Sequence, residues 1–371
     1  MYSEDKIRIL ILHPYLAPYR IDLYNILSEK YDIYVLLTGS KDEIRSLGFN
    51  LDLVNSQARF KLKYVTDGLR FGRHLISSVF FKTINDFKPD VIISHELGSN
   101  TLFSILAKKI NRKYKIYTTI DDSPAMAYGY SRLRDMLRGL VANNVDGFIV
   151  VNPDVRTFLE YRYPKLKDKI IYFPIIQDDE ILSQKINQSE YKANTLQKQY
   201  NLYDKRIILF VGRLENIKSP DILLQAYKRI RTEKDFLVIV GDGSLSSSLR
   251  DYSKQNNIEN VIFTGRLSGE DLYAWYYLAN IFVLPSKFEP FGAVVNEALV
   301  AGCYTIVSNK VGASSLITST NGKIFDINNI DSFDYVLKTS LLNLSPKKLH
   351  HSLMDKTFSE YYSDLINGMS L

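Results

Sequence analysis

The 371 residues include one cysteine, one tryptophan and five histidines. A lone Cys303 excludes an internal disulfide framework and fits a reducing compartment. It follows Gly302 where a helix is expected to end, and its expected role is that of a small packed hydrophobe rather than a nucleophile. No zinc-ligand spacing, RNA-binding signature or long basic helix occurs, which argues against a nucleic-acid partner. No apolar run reaches the roughly eighteen residues a membrane span needs. The opening Met1-Tyr-Ser-Glu-Asp-Lys6 lacks a basic stretch followed by an apolar one, so no signal peptide is expected. No Gly-x-Gly-x-x-Gly follows the first apolar strand, which argues against a dinucleotide-dependent dehydrogenase. These absences leave a soluble cytoplasmic enzyme as the expectation.

What is present fits two domains. The length exceeds one ordinary core, and 46% hydrophobic with 24% charged residues is a globular composition. Net charge is +6, unevenly spread: residues 1–176 carry 26 Lys and Arg against 19 Asp and Glu, while the remainder carries 21 against 22. The basic excess in the first part suits an anionic membrane surface, inside the cell membrane, or a phosphorylated acceptor. The segment Arg59–Lys82 mixes Arg59, Lys61, Lys63, Arg70 and Arg73 with Phe60, Tyr64, Phe71, Phe80 and Phe81. It reads equally as a membrane-docking segment or as an ordinary amphipathic helix.

Apolar, β-branched runs beginning near residues 6, 33, 90, 115 and 147 read as strands of a parallel sheet covered on both faces, with helices between them. The alternation pauses at Tyr172–Asp179, and Ser183–Gln199 reads as a polar surface helix or loop. Strands then resume at 206–211, 236–240, 261–263, 281–284 and 304–307. The expected architecture is α/β, two Rossmann-like doubly wound parallel sheets facing each other across a cleft. The expected domains are 1–173, 174–345 and a helical segment 346–371.

The densest signal is Glu289-Pro-Phe-Gly-Ala-Val-Val-Asn-Glu297, two carboxylates across a strand-to-helix turn. Pro290 fits a first helical position, Gly292 and Ala293 leave room for a ligand at the backbone, and the first-turn amides form an anion site. Glu297 presents acceptors to vicinal hydroxyls. Two glutamates alone would read as surface residues; the Phe-Gly-Ala after a strand exit changes that reading. Upstream, Gly212 ends a strand, Arg213 and Lys218 share the following loop, and Ser219-Pro220-Asp221 begins the next helix with an N-cap. A guanidinium and an ammonium suit a diphosphate. Val240-Gly-Asp-Gly-Ser244 reads as a tight structural turn.

With Val211-Gly-Arg-Leu214, Lys218, the Gly-Asp-Gly turn and Val261–Leu267 in order, residues 206–325 resemble the family 4 glycosyltransferases, retaining enzymes of the GT-B fold. The Lys-Gly usual in that family is Lys218-Ser219 here. The resemblance implies a nucleotide-diphosphate sugar as donor, with no cofactor, and a segment 346–371 that crosses back to the first domain. No Asp-x-Asp motif sits at a strand exit in the second half, so Arg213 and Lys218 are expected to stand in for a metal. It assigns Gly265-Arg266-Leu267 to the nucleobase, Glu297 to the ribose, and Glu289 with the amides near Phe291, Gly292 and Ala293 to the transferred sugar. It implies front-face attack with the departing phosphate as base, so Glu289 is not assigned as nucleophile. On the acceptor side, His13 and Tyr15, His95, and Asp121 follow strands of the first sheet. Relatives carry a Gly-Gly turn near the first of these, which is lacking here, and a His near the place of Asp121. The expected activity is hexose transfer to a glycan or lipid-linked saccharide in cell-surface polysaccharide or lipopolysaccharide synthesis. A nucleotide-sugar epimerase and a non-catalytic nucleotide-sugar-binding subunit remain alternatives.

Overall fold

The structure, a computed structural model, describes residues 6–40, 51–71, 74–110, 113–121, 132–344 and 350–371. The chain forms two compact units, Met1–Ile176 with Ser359–Leu371, and Gln177–Phe358. In the first, a seven-stranded sheet runs in the order β3-β2-β1-β6-β7-β8-β9. Its strands are β1 (Arg8–His13), β2 (Asp32–Leu37), β3 (Lys61–Tyr64), β6 (Val91–His95), β7 (Lys115–Ile120), β8 (Gly147–Val150) and β9 (Ile170–Tyr172). Between β3 and β6 lies a small antiparallel pair, β4 (Leu69–Phe71) and β5 (His74–Ile76). All the pairings within the large sheet are parallel, as where Ile9 lies between Ile33 and Val91. Leu10, Leu12, Ile92, Ile116 and Phe148 are wholly buried, which is why these strands read as unbroken apolar runs.

The second unit repeats the plan with six strands, in the order β12-β11-β10-β13-β14-β15. They are β10 (Arg206–Val211), β11 (Asp235–Val240), β12 (Val261–Gly265), β13 (Ile281–Leu284), β14 (Tyr304–Ser308) and β15 (Gly322–Phe325). Asp235 is buried at the start of β11, where it accepts from the Thr232 backbone N–H at 2.8 Å and pairs with Arg206 at 2.7 Å. In each sheet the strand order reverses beside the first strand, between β1 and β6 and between β10 and β13. Loops on either side of such a reversal diverge and leave a crevice at the carboxyl ends of the strands.

The structure departs from the sequence reading in four places. Residues 61–76 form β3, β4 and β5, and a helix begins only at Val79. Lys61-Leu-Lys-Tyr64 alternates exposed and half-buried side chains, the pattern of an edge strand; Arg73 lies outside the described residues, as does the side chain of Phe71. Pro290 does not open a helix: the backbone turns at Gly292, with φ +96°, and the helix Val294–Val300 starts afterwards. Ser219 does precede the helix Pro220–Ile230, but in a left-handed conformation, and its hydroxyl donates to the Asn216 carbonyl instead of capping. The chain passes between the units at Ile176, and the returning segment begins at Ser359 rather than 346. Residues 350–358 stay with the second unit, where the Leu353 N–H donates to the Leu299 carbonyl and the Phe358 N–H to Asp179. The polar stretch before β10 forms two helices, Asp179–Gln188 and Glu190–Gln199. Among the described residues no helix is long and apolar enough to cross a membrane.

Candidate active site

In the second unit Gly212, Arg213, Lys218, Glu289–Ala293 and Glu297 gather at the strand ends flanking the β10/β13 reversal, whereas Arg266 and Leu267 follow the edge strand β12. The loop after β10 is pinned from below by the Gly-Asp-Gly turn. The Gly212 N–H donates to Val240 and the Leu214 N–H to Asp242. A Cβ on Gly241 would lie 1.8 Å from the Gly212 carbonyl oxygen, so only glycine lets the two turns approach. Glu215 accepts from both the backbone and the hydroxyl of Ser244, at 3.0 and 2.5 Å. The loop thus held exposes Arg213 and directs Lys218 across to β13, where its ammonium contacts Glu289 Oε2. Both side chains of this pair are largely buried. Burial and the Arg213 charge draw the Lys218 pKa down to about 8, while the adjoining carboxylate favours the ammonium.

Glu289 is fixed by a partner the sequence did not reveal. Its N–H donates to the Lys310 carbonyl, its own carbonyl accepts from Gly312, and Phe291 accepts from Ala313. A Cβ on Gly312 would sit 2.0 Å from the Pro290 carbonyl oxygen, so this glycine is what allows the loop after β14 to lie along Glu289–Phe291. Phe291 is buried as the anchor of the turn. Glu297 follows in the short helix. Its Oε2 accepts from the Tyr276 hydroxyl at 2.9 Å and its Oε1 from Gln177 Nε2 at 3.1 Å. Burial raises its pKa against those two hydrogen bonds. Each oxygen keeps a second lone pair for a ligand hydroxyl. Tyr276 and Gln177 had no motif to mark them: the tyrosine lies in an aromatic run that reads as core. Arg266 follows β12 and is exposed, with Leu267 half-buried beside it.

In the first unit His13, His95 and Asp121 stand at the ends of β1, β6 and β7, three adjacent strands. The two imidazoles lie 4.1 Å apart between ring centres, and His95 Nδ1 is 4.0 Å from Asp121. The Tyr15 N–H donates to His13 Nδ1 at 3.3 Å, and its ring meets His13 edge-on. Burial is the main cause that keeps both histidines neutral, lowering His95 to about 4 and His13 well below the ordinary range. Asp121 is held in an ion pair. Its Oδ2 is bound by the buried guanidinium of Arg20, which lies 101 residues away in the chain and was not anticipated. Burial opposes ionisation of Asp121, but Arg20 and His95 outweigh it and hold its pKa below the usual carboxylate value. Among the described residues, Asp121 Oδ1 and His13 Nε2 are buried without a hydrogen-bond partner. Asp122 lies outside the described residues. The His13, His95 and Asp121 ligand atoms fall within 4.8 Å of one another, a spacing a cation could use, although Arg20 already places a positive charge on Asp121.

Residues 192–353 match the family described as glycosyl transferases group 1. An uncharacterised glycosyltransferase of Methanocaldococcus jannaschii is 37% identical over 31% of this chain and 30% of its own length. A GDP-mannose-dependent alpha-mannosyltransferase of Corynebacterium glutamicum is 36% identical over 33% of this chain and 28% of its own. The chain therefore spans about a third of either relative. In structure, Anabaena HepE in complex with UDP superposes with a TM-score of 0.71 at 16% identity, covering 96% of this chain and 93% of that one. The chain thus has two Rossmann-like sheets of the GT-B kind, and its residues 192–353, within the second unit, are similar to the group 1 glycosyltransferases.

Proposed function

We propose that this chain is a family 4 enzyme that moves a hexose from a nucleoside diphosphate sugar onto a glycan or lipid-linked saccharide with retention of anomeric configuration. The reading includes a place in cell-surface polysaccharide or lipopolysaccharide synthesis and a peripheral contact with the cytoplasmic face of the membrane. The observation that carries it is the Lys218–Glu289 contact at the β10/β13 reversal. It sets a diphosphate-binding cation beside a carboxylate suited to sugar hydroxyls, and Glu297 is oriented next along the chain. That HepE was crystallised with UDP supports a nucleoside diphosphate as the group bound.

In the proposed reaction Arg213 and Lys218 stabilise the charge that develops on the departing diphosphate. The acceptor hydroxyl attacks from the same face, and the leaving phosphate oxygen takes its proton. Glu289, bound through Oε2 by an ammonium, is a poor nucleophile and serves to hold the sugar. Asp121 Oδ1 and His13 Nε2, both unpartnered, are the acceptor-side groups we assign to hydroxyl recognition, with Tyr15 and His95 supporting them. The cations at the donor site replace a divalent metal in this scheme, so excess chelator should leave transfer intact.

The experiment is a panel of nucleoside diphosphate sugars with saccharide acceptors, scored by free diphosphate and by proton NMR of the product. Release with a retained linkage supports the proposal. An inverted linkage, or an epimerised donor without an acceptor product, refutes it.

A further inference from the structure

The edge of the first sheet where its strands begin lies opposite the edge carrying His13, His95 and Asp121. It is basic. A recess of about 510 Å³ there is lined by Lys6, Arg8, Arg59 and Lys61, beside Tyr31 and Phe60. Arg8 opens β1 and Lys61 opens β3, which fixes the recess at the strand starts. Three acids answer part of the charge: Arg8 lies 3.9 Å from Asp90, Lys61 3.9 Å from Asp32 and Arg59 3.7 Å from Glu29. All three pairs are long and well solvated, so they add little stability, and against the four cations they leave an excess of one positive charge in the recess.

Apolar side chains are exposed towards the same edge. The helices Ser99–Lys109 and Arg132–Ala142 touch one another, and their carboxyl ends lead into β7 and β8. Ile110 is 72% exposed, Leu140 58% and Met136 59%. Leu106 lies one turn before Ile110, and Met136 one turn before Leu140, so each helix presents a stripe rather than a single residue. Between residues 99 and 115 the sequence has five Lys and Arg and no acid. Lys109 and Lys113 of that run are exposed beside Ile110.

Grouped apolar side chains on a soluble surface mark an interaction site, and their surroundings select the partner. A nucleic acid would take the cations but leave Ile110 and Leu140 in water. The interfacial region of an anionic bilayer takes both. It also has the reach: neighbouring strands about 4.8 Å apart place β3 and β8, five steps apart in the sheet, roughly 24 Å from each other. We propose that the strand-start edge of the first unit docks on an anionic lipid bilayer, with Ile110 and Leu140 as apolar anchors and Lys109, Lys113 and the recess cations as electrostatic ones. This deepens the membrane part of the function proposed above. In that pose the opposite edge of the sheet, about 20 Å away along a six-residue strand, is turned from the lipid. A lipid-linked acceptor must then present its saccharide well out in solvent.

The test is co-sedimentation of the full chain with vesicles of phosphatidylcholine containing about a third phosphatidylglycerol, against phosphatidylcholine alone. Wild type should pellet with the anionic vesicles, less in about 0.5 M salt, and at least about tenfold less with neutral lipid. Ile110→Ser with Leu140→Ser, and separately Lys109→Glu with Lys113→Glu, should each lower partitioning at least about tenfold. Diphosphate release from the donor, read in the same preparations, should stay at the wild-type level and shows the variants to be folded. No wild-type binding, equal binding to neutral lipid, or variants that bind as wild type would overturn the proposal. So would concentration-dependent self-association lost in the apolar variant, which would assign the face to a second copy of the chain. Absence of donor turnover in every preparation would count against the enzyme reading without touching the docking result.

Discussion

Lys218 sits under two opposed influences, burial with the nearby Arg213 on one side and the Glu289 carboxylate on the other. With its pKa drawn to about 8, the ammonium is lost as pH rises through that value in the free protein. If it stabilises the leaving diphosphate, kcat/KM for the donor falls on the alkaline side of about pH 8, because that parameter reports the free enzyme. Lys218→Arg, which stays charged, moves the limb upward; a wild-type profile that stays flat to about pH 10 would contradict the assignment. Asp121 carries a second prediction. Asp121→Asn leaves the buried Arg20 guanidinium without its counter-charge, so stability should fall by about 3–5 kcal/mol, read as a drop in melting temperature. Arg20→Met combined with Asp121→Asn should recover part of the loss; no change in melting for the single variant would show that the pair is not formed. The candidate donor-side residues Glu289, Gly292 and Glu297 could be grouped from sequence because one short motif holds them together. Arg20, Tyr276 and Gln177 were not, because what marks each is a contact with a residue distant in the chain.

Interior strands were read from sequence to within a residue or two, since a strand buried on both faces has to be apolar throughout. The edges were not. β3, β9 and β15 are short, and β3 alternates lysine with apolar residues, so its run looked like an amphipathic helix. The start of the helix after Glu289 was misplaced because Pro290 is a common first helical residue, whereas the loop after β14 pairs its backbone with Glu289 and Phe291 and delays the helix to Val294. That clamp is testable. Gly312→Ala places a methyl against the Pro290 carbonyl, so the loop must separate and Glu289 loses its register opposite Lys218. Donor turnover should fall at least about tenfold, a barrier change of 1.4 kcal/mol or more, with a smaller effect on melting. Full turnover in Gly312→Ala would mean that the clamp does not position Glu289.

For the whole molecule, the return of Ser359–Leu371 to the first unit ties the two ends of the chain into one core. The Tyr117 hydroxyl and the Lys115 ammonium donate to the Met369 carbonyl at 2.9 and 3.2 Å, and Tyr361 packs edge-on against Tyr172. Truncation after Phe358 should therefore strip hydrogen-exchange protection from β7, β8 and β9 while leaving β10 to β14 protected. Equal loss in both sheets would show that the units do not fold separately. The sequence disclosed two sheets through their alternating patterns, and it disclosed the charge imbalance between the halves. It could not show that Lys6, Arg8, Arg59 and Lys61 meet at the strand starts, because they are brought together only by strand order.

Calorimetric titration of UDP and GDP into the full chain and into Lys218→Ala, at neutral pH without added metal, tests the central claim most directly. The account predicts that wild type binds at least one of them with an affinity at least about thirtyfold above the variant, the equivalent of about 2 kcal/mol for one lost charge-assisted contact, while melting of the variant is unchanged. Equal affinity in the two proteins, with both folded, would contradict it.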